Sequence, residues 1–380
     1  MTGADVVIVG GGVIGASIAY HLSLRGAGRI VVLERDRLGT GSTGKNAGGI
    51  RLQFSTEVNV RLSQRALPRL ESFKDEMGVD PQFHQVGYLF LITEDRDVVP
   101  FEQSLALWER LGAPVRRLTG PAAQAVFPEI RVDDVRFATF CEKDGYADPH
   151  SILQGYVARA RERGVEFREG APARAIDVTG GRVTAVRAGD ERIECGTVVN
   201  AAGAWGAQVG AMVGLSLPIV PLRRHIFVTG PVPGLDHEFP LTIEFASGLY
   251  FHRESGGVLL GMADSADPPR FDDSVNWDFL PTVVEHALGR LPPLERATVK
   301  TGWAGFYEDT PDRHPILGTI DEVPGFVCAA GFSGHGLMHA PAAGEVVAQI
   351  ICGEPTAVDV SALRFERFAR GALVAEHHVI

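Results

Sequence analysis

The chain has 380 residues, 45% hydrophobic and 22% charged, a globular composition with ample apolar material for a large core and room for two or three domains. Its net charge of -11 repels nucleic acid on average, and Arg116-Arg117 and Arg223-Arg224 are too short for a basic patch, reading instead as solvated pairs or single functional arginines. Four cysteines, Cys141, Cys195, Cys328 and Cys352, fit no CxxC or zinc spacing and read as buried, reduced thiols. No charged segment leads an apolar stretch at the N-terminus, and no window reaches transmembrane length, so a soluble cytoplasmic protein without a membrane span is expected.

Asp5–Val9 is a β-branched run that predicts a buried parallel strand. Gly10-Gly11-Gly12-Val13-Ile14-Gly15 follows at once, then a helical pattern from Ala16 to Arg25, then a second strand Arg29–Leu33 ending at Glu34. Each part of this pattern has a physical task. Gly10 permits the tight turn, Gly12 lets the backbone approach a pyrophosphate, and Gly15 lets helix and strand pack closely. The helix start, with Val13 and Ile14, offers N–H groups and a positive dipole end to phosphates. Glu34 is placed to accept a hydrogen bond from a ribose hydroxyl, and Arg35 follows it. A dinucleotide-binding α/β unit is therefore expected, but the motif alone does not choose between FAD and NAD.

The next segment favours FAD. Leu38 to Arg51 is rich in Gly, Ser and Thr where a nicotinamide domain would proceed to a crossover helix. Ser42, Thr43, Gly48 and Gly49 supply hydroxyls and backbone N–H groups suited to lie along a long ligand. Strand-like runs follow in two central blocks: Gly87–Thr93 and Val135–Cys141, then Arg224–Thr229, Leu249–Arg253 and Val258–Met262. Val198–Gly203 and Phe326–Gly331 read as further buried strands with small-residue ends, and a helix is predicted over Pro341–Ile351.

With these motifs in order, the chain resembles the D-amino-acid-oxidase-like superfamily of FAD amine oxidoreductases, with particular likeness to the β subunits of sarcosine oxidase and of dye-linked L-proline dehydrogenase. The resemblance spans nearly the whole chain: the stretch from Val6 to Leu22, Gly41–Phe54, Gln85–Leu91, Asp144–Ile152, Val198–Trp205, Thr301–Gly318 and Gly331–Glu345. It implies an α/β fold in which a Rossmann-like FAD-binding domain (1–80, 145–218 and 300–380) is intertwined with an antiparallel-sheet α+β substrate domain (81–144 and 219–299). FAD contacts are then expected from the glycine turn, from Ala173, from Ala202, Gly203 and Trp205, and from the loop Gly331, Gly334, His335, Gly336, Leu337 and Met338. His335 falls in this cofactor loop, which argues against a role as general base.

The resemblance also implies the reaction: a hydride leaves the carbon beside an amine nitrogen for flavin N5, giving an imine, so orientation matters more than an acid–base residue. Arg51 matches the arginine that sarcosine-oxidase-like members use to hold the substrate carboxylate, suited by its bidentate fork. Tyr307 matches a pocket position where glycine-oxidase-like members carry an arginine. Tyr250 and His252 alternate onto one face of a strand that could line the roof, and His225 is a similar candidate. Gly305 stands where monomeric sarcosine oxidases attach FAD through cysteine, so FAD is expected to be non-covalent. Met338 replaces their carboxylate-holding lysine, and Leu259 falls near the lysine that assists reaction with oxygen, which leans toward a dehydrogenase. The histidine that links FMN in heterotetrameric sarcosine oxidase aligns near Pro149, one place from His150, and no covalent FMN is expected. The expected substrate is a secondary or cyclic α-amino acid such as proline or sarcosine, with primary amino acids or opines as alternatives. Electron-acceptor or partner subunits are expected to be possible. An assembly factor that binds flavin without turnover, and a nicotinamide dehydrogenase, are the competing classes.

Overall fold

The computed structural model describes residues 3–380; Met1 and Thr2 lie outside the described residues. Two large sheets organise it. The first has six strands in the order Ile316–Thr319, Phe326–Ala330, Thr197–Asn200, Val6–Val9, Ile30–Leu33 and Glu166–Arg168, all pairs parallel except the first. Val6–Val9 is buried on both faces, which explains an unbroken apolar run in place of alternation. The strand leads through the glycine turn into the helix Val13–Leu24. That helix packs on Gly336–Cys352, where Gly344 admits Ser17 so closely that a Cβ would sit 2.1 Å from its hydroxyl oxygen. The Gly336 helix starts five residues before the predicted Pro341. Pro341 removes one N–H from the helix interior, but the apolar packing on both neighbouring helices outweighs that loss.

The second sheet has eight strands: Val299–Asp309, Val220–Thr229, Gly257–Met262, Leu249–Glu254, Leu241–Glu244, Tyr88–Ile92, Phe137–Cys141 and Val115–Leu118. Its pairs are antiparallel except Leu241–Glu244 with Tyr88–Ile92. The division expected at residue 300 is corrected here. Val299–Asp309 pairs along its length with Val220–Thr229, so the long strand beginning at 299 belongs to the antiparallel sheet.

Between the sheets runs an irregular segment, Arg51–Thr56, whose polar groups are nearly all engaged. Leu52 N–H donates to Asp144 (2.9 Å), and the Gln53 amide donates to the Tyr88 carbonyl (3.0 Å) and accepts from Thr139 (2.7 Å). Trp108 donates to the Phe54 carbonyl (2.7 Å). The buried Glu376 carboxylate accepts from Ser55, Thr56 and Asn59, which fastens the C-terminal stretch against this segment. A buried loop is stable only when its polar groups find partners in this way.

Candidate active site

One cavity of about 490 Å³ touches both sheets, a size typical of ligand sites. Its first end is the glycine turn. Gly10 has φ 117°, and a Cβ there would lie 2.2 Å from the Ala201 carbonyl oxygen, so only glycine fits. Gly12, Val13 and Ile14 form the adjoining wall, with Ala202 and Gly203 opposite and Ala173 beside them. Glu34 reaches the cavity, but its carboxylate first braces the turn, accepting from Gly11 N–H (2.7 Å) and Asp36 N–H (2.9 Å). Arg35 lies over the Trp205 ring, 3.5 Å from its centroid. Two donors expected to face a ligand are engaged within the chain: Ser42 donates to the Phe306 carbonyl (2.7 Å), and Val13 N–H donates to Thr43 (3.1 Å).

The middle of the cavity is the start of the helix Gly336–Cys352. Gly334, at φ 88°, presses against the Tyr307 ring, where a Cβ would come within 2.4 Å. His335 is 3% exposed, and neither ring nitrogen has a partner. Burial, then the Arg51 charge, holds its pKa well below the usual histidine value, so the ring is neutral. Leu337 and Met338 complete this wall.

The far end is a polar chamber. Arg51 is 5% exposed. Its guanidinium donates to the carbonyls of Gln53 and His378 (2.5 Å for the latter) and lies over Phe54, 4.0 Å from the ring centroid. It forms no ion pair with any described residue. Tyr88, Tyr250 and Tyr307 line the same cavity, their hydroxyl pKa values raised first of all by burial. Arg224, from the neighbouring strand, covers the Tyr307 ring at 4.6 Å. Glu308 also reaches the cavity, its carboxyl pushed up to about 7 by burial.

Several sequence expectations need correction. Gly48 and Gly331 do not line the cavity, and neither does Gly15, whose expected part in close helix–strand packing holds. Each instead allows a close approach, to the Ala147 carbonyl, the Thr310 side chain and the Gly10 carbonyl, respectively. His252 does not join Tyr250 in the chamber. It stacks on Tyr146 (4.2 Å), sits 2.9 Å from the Ala47 carbonyl, and lines a separate cavity of about 440 Å³ with Leu259 and His150. The shared strand face spans both cavities, so alternation alone could not separate them. His225 points away from the chamber and accepts from Asn276 N–H (3.1 Å). Cys352 is exposed, whereas Cys141, Cys195 and Cys328 are buried.

Sequence reasoning missed Tyr88, Arg224, Glu308, Lys45, Val379 and Ile380, all of which line the main cavity. Lys45 is ion-paired with Asp273. Strand alternation carried a usable signal for Arg224: it faces opposite to Arg223, which is tied to Asp267 (2.5 Å) and Asp272 (3.0 Å). No local pattern marked the C-terminal residues.

A glycine-turn helix start at one end, unpartnered polar groups in the middle and a cationic, tyrosine-lined chamber at the other define a dinucleotide-cofactor oxidoreductase. The chain belongs to the FAD dependent oxidoreductase (DAO) family, whose pattern matches residues 5–350. It is 34% identical to FAD-dependent oxidoreductase domain-containing protein 1 of Xenopus laevis, over 99% of this chain and 85% of that protein. Its structure is similar to that of L-proline dehydrogenase from P. horikoshii (TM-score 0.92, 32% identity, 98% of this chain and 99% of that one). It is also similar to glycine oxidase from Geobacillus kaustophilus (TM-score 0.86, 25% identity, 97% and 99%). The protein is thus an FAD-dependent oxidoreductase. Its residues fit the cofactor: the turn at Gly10–Gly12 suits the pyrophosphate, and the two unpartnered nitrogens of His335 await a polar partner in the cavity. Among the described residues no helix is long and apolar enough to cross a membrane.

Proposed function

We propose that this protein oxidises the C–N bond of a secondary or cyclic α-amino acid, of the proline or sarcosine kind, to an imine. FAD, when bound, accepts the hydride from the carbon beside nitrogen; the chain's residues orient that carbon. One observation carries the reading. Arg51 is a buried cation on the cavity wall with no acid paired to it, and a buried charge calls for a counter-charge. A substrate carboxylate supplies one, with bidentate geometry. Tyr88, Tyr250 and Tyr307 close the chamber and exclude water around the reacting carbon.

No general base is assigned. His335 is the one histidine among the described lining residues, and its burial disfavours the charged form that would result from taking a proton. FAD is held non-covalently in this reading: no cysteine lines the cavity among the described residues, and Gly305 packs against Lys45. The proposed acceptor is not oxygen. The position expected to bear an oxygen-activating lysine is Leu259, buried beside the second cavity, and the cavity's own Lys45 is paired with Asp273.

The test is anaerobic titration of the flavin-loaded protein with proline, sarcosine, hydroxyproline, opines and glycine, followed by flavin absorbance. Bleaching by a secondary amine before glycine supports the reading, and bleaching by none of them overturns it. Readmitting air, then a dye, separates oxidase from dehydrogenase.

A further inference from the structure

Arg223 and Arg224 are neighbours in one strand, yet their surroundings differ. Arg223 is matched by Asp267 and Asp272 on the side away from the cavity. Arg224 lines the cavity, pairs with no described acid and donates only to the Arg223 carbonyl (3.2 Å). Its Nε is buried and has no hydrogen-bond partner. That is an unsatisfied donor on a cation, which natural structures rarely leave without a reason.

Arg51 and Arg224 thus each form no ion pair with a described residue, although the charge of the first acts on Asp144 and that of the second on Asp309. Both arginines line the one cavity, and Arg224 lies over the ring of Tyr307, which lines it too, at 4.6 Å. Glu308, next in sequence to Tyr307, forms no ion pair with Arg224 among the described residues, and burial raises its carboxyl to about 7. Arg224 lies on the eight-stranded sheet, whereas the glycine turn that suits phosphate belongs to the six-stranded one.

We propose that the substrate carries two carboxylates, an N-(carboxyalkyl) amino acid whose α-carboxylate rests on Arg51 and whose second carboxylate rests on Arg224. This deepens the amino-acid-oxidation reading and rests on it for the fate of the C–N bond. The second carboxylate fills the unsatisfied Nε and offsets the repulsion between two like charges in a water-poor chamber.

The test uses the flavin-loaded protein and thioethers that cannot be oxidised as amines. Calorimetry compares methylthioacetate, with one carboxylate, against thiodiacetate and its homologues lengthened by one or two carbons on one arm. At least one dicarboxylate is expected to bind about tenfold or more tightly than methylthioacetate, as one charge-assisted hydrogen bond implies. In Arg224→Met that advantage falls below about twofold, and in Arg224→Lys part of it survives. Retained flavin absorbance verifies that each variant is folded. No dicarboxylate advantage in the wild type overturns the proposal, as does an advantage that persists in Arg224→Met. Bleaching by proline or sarcosine without any dicarboxylate advantage sinks this inference and leaves amino-acid oxidation standing. A dicarboxylate advantage lost in Arg224→Met, with no amine bleaching the flavin, keeps the dianion site and sinks the oxidation reading.

Discussion

The two ends of the cavity are built on different principles. At the glycine turn, backbone does the work: Gly10 fits under the Ala201 carbonyl, and the Glu34 carboxylate clamps Gly11 N–H. At the chamber, side chains from distant segments do the work, and two of them are arginines in no ion pair with a described residue. In the proposed reading the first end holds the pyrophosphate and says little about what reacts, while the second end says little about the cofactor and selects the reactant. A protein can therefore keep its cofactor while its substrate changes, because the two determinants share few residues.

Five substitutions sharpen or break this contrast. The largest effect is expected for Gly10→Ala. The new Cβ would sit 2.2 Å from a carbonyl oxygen at φ 117°, so the purified variant should carry no flavin colour even after FAD is added. A yellow Gly10→Ala protein would remove the turn from its role.

Arg223→Met comes next. It leaves the buried Asp267 with only the half-exposed Arg270 (3.0 Å) as a partner, and breaking a buried pair costs up to about 3–5 kcal/mol. Urea unfolding should show that loss, with flavin content unchanged at low denaturant. A stability within experimental error of wild type would erase the distinction drawn between Arg223 and Arg224.

Arg51→Lys keeps the charge but not the planar fork. The substrate KM should rise about tenfold or more, with flavin binding intact. If KM stays at the wild-type value, Arg51 is not the carboxylate anchor.

The smallest effect is expected in the pH dependence of stability. His339 is buried, and burial lowers its pKa to about 3. A group depressed below its unfolded value near 6.5 stabilises the fold fully above that pH, and the contribution is lost as pH falls toward 3. His339→Gln should flatten the decline in melting temperature between pH 6.5 and 4 by the equivalent of one proton, about 1.4 kcal/mol per pH unit. Glu308 has the opposite sign. Its folded pKa is raised to about 7, so its contribution is present at low pH and lost as pH rises through 7. Glu308→Gln should therefore remove a decline in stability between about pH 4.5 and 7, the window between its unfolded and folded pKa.

Legibility in the sequence followed the same division. The strand Val6–Val9, the glycine turn and the second strand were readable because their determinants lie within one short stretch, where sterics fix the conformation. Gly334 through Met338 line the cavity as the family resemblance implied, not as local sterics dictated. The roof was harder. Strand alternation correctly placed Tyr250 and His252 on one face, yet a wall of the protein divides that face into two cavities. Arg224 was visible only as half of an arginine pair, because its partner's acids come from residues 267 and 272, far along the chain.

By itself, then, the sequence determined the dinucleotide turn, the buried parallel strands and the place of Arg51 at the end of a glycine-rich loop. These depend on backbone sterics and on local burial of apolar runs, which neighbouring residues dictate. Only the tertiary structure decided that Arg51, Tyr88, Arg224, Tyr250 and Tyr307 share one chamber, and that His378 fastens Arg51 from the far end of the chain. Sheet register and loop closure bring those residues together, and both are set by the packing of the whole core rather than by any contiguous run.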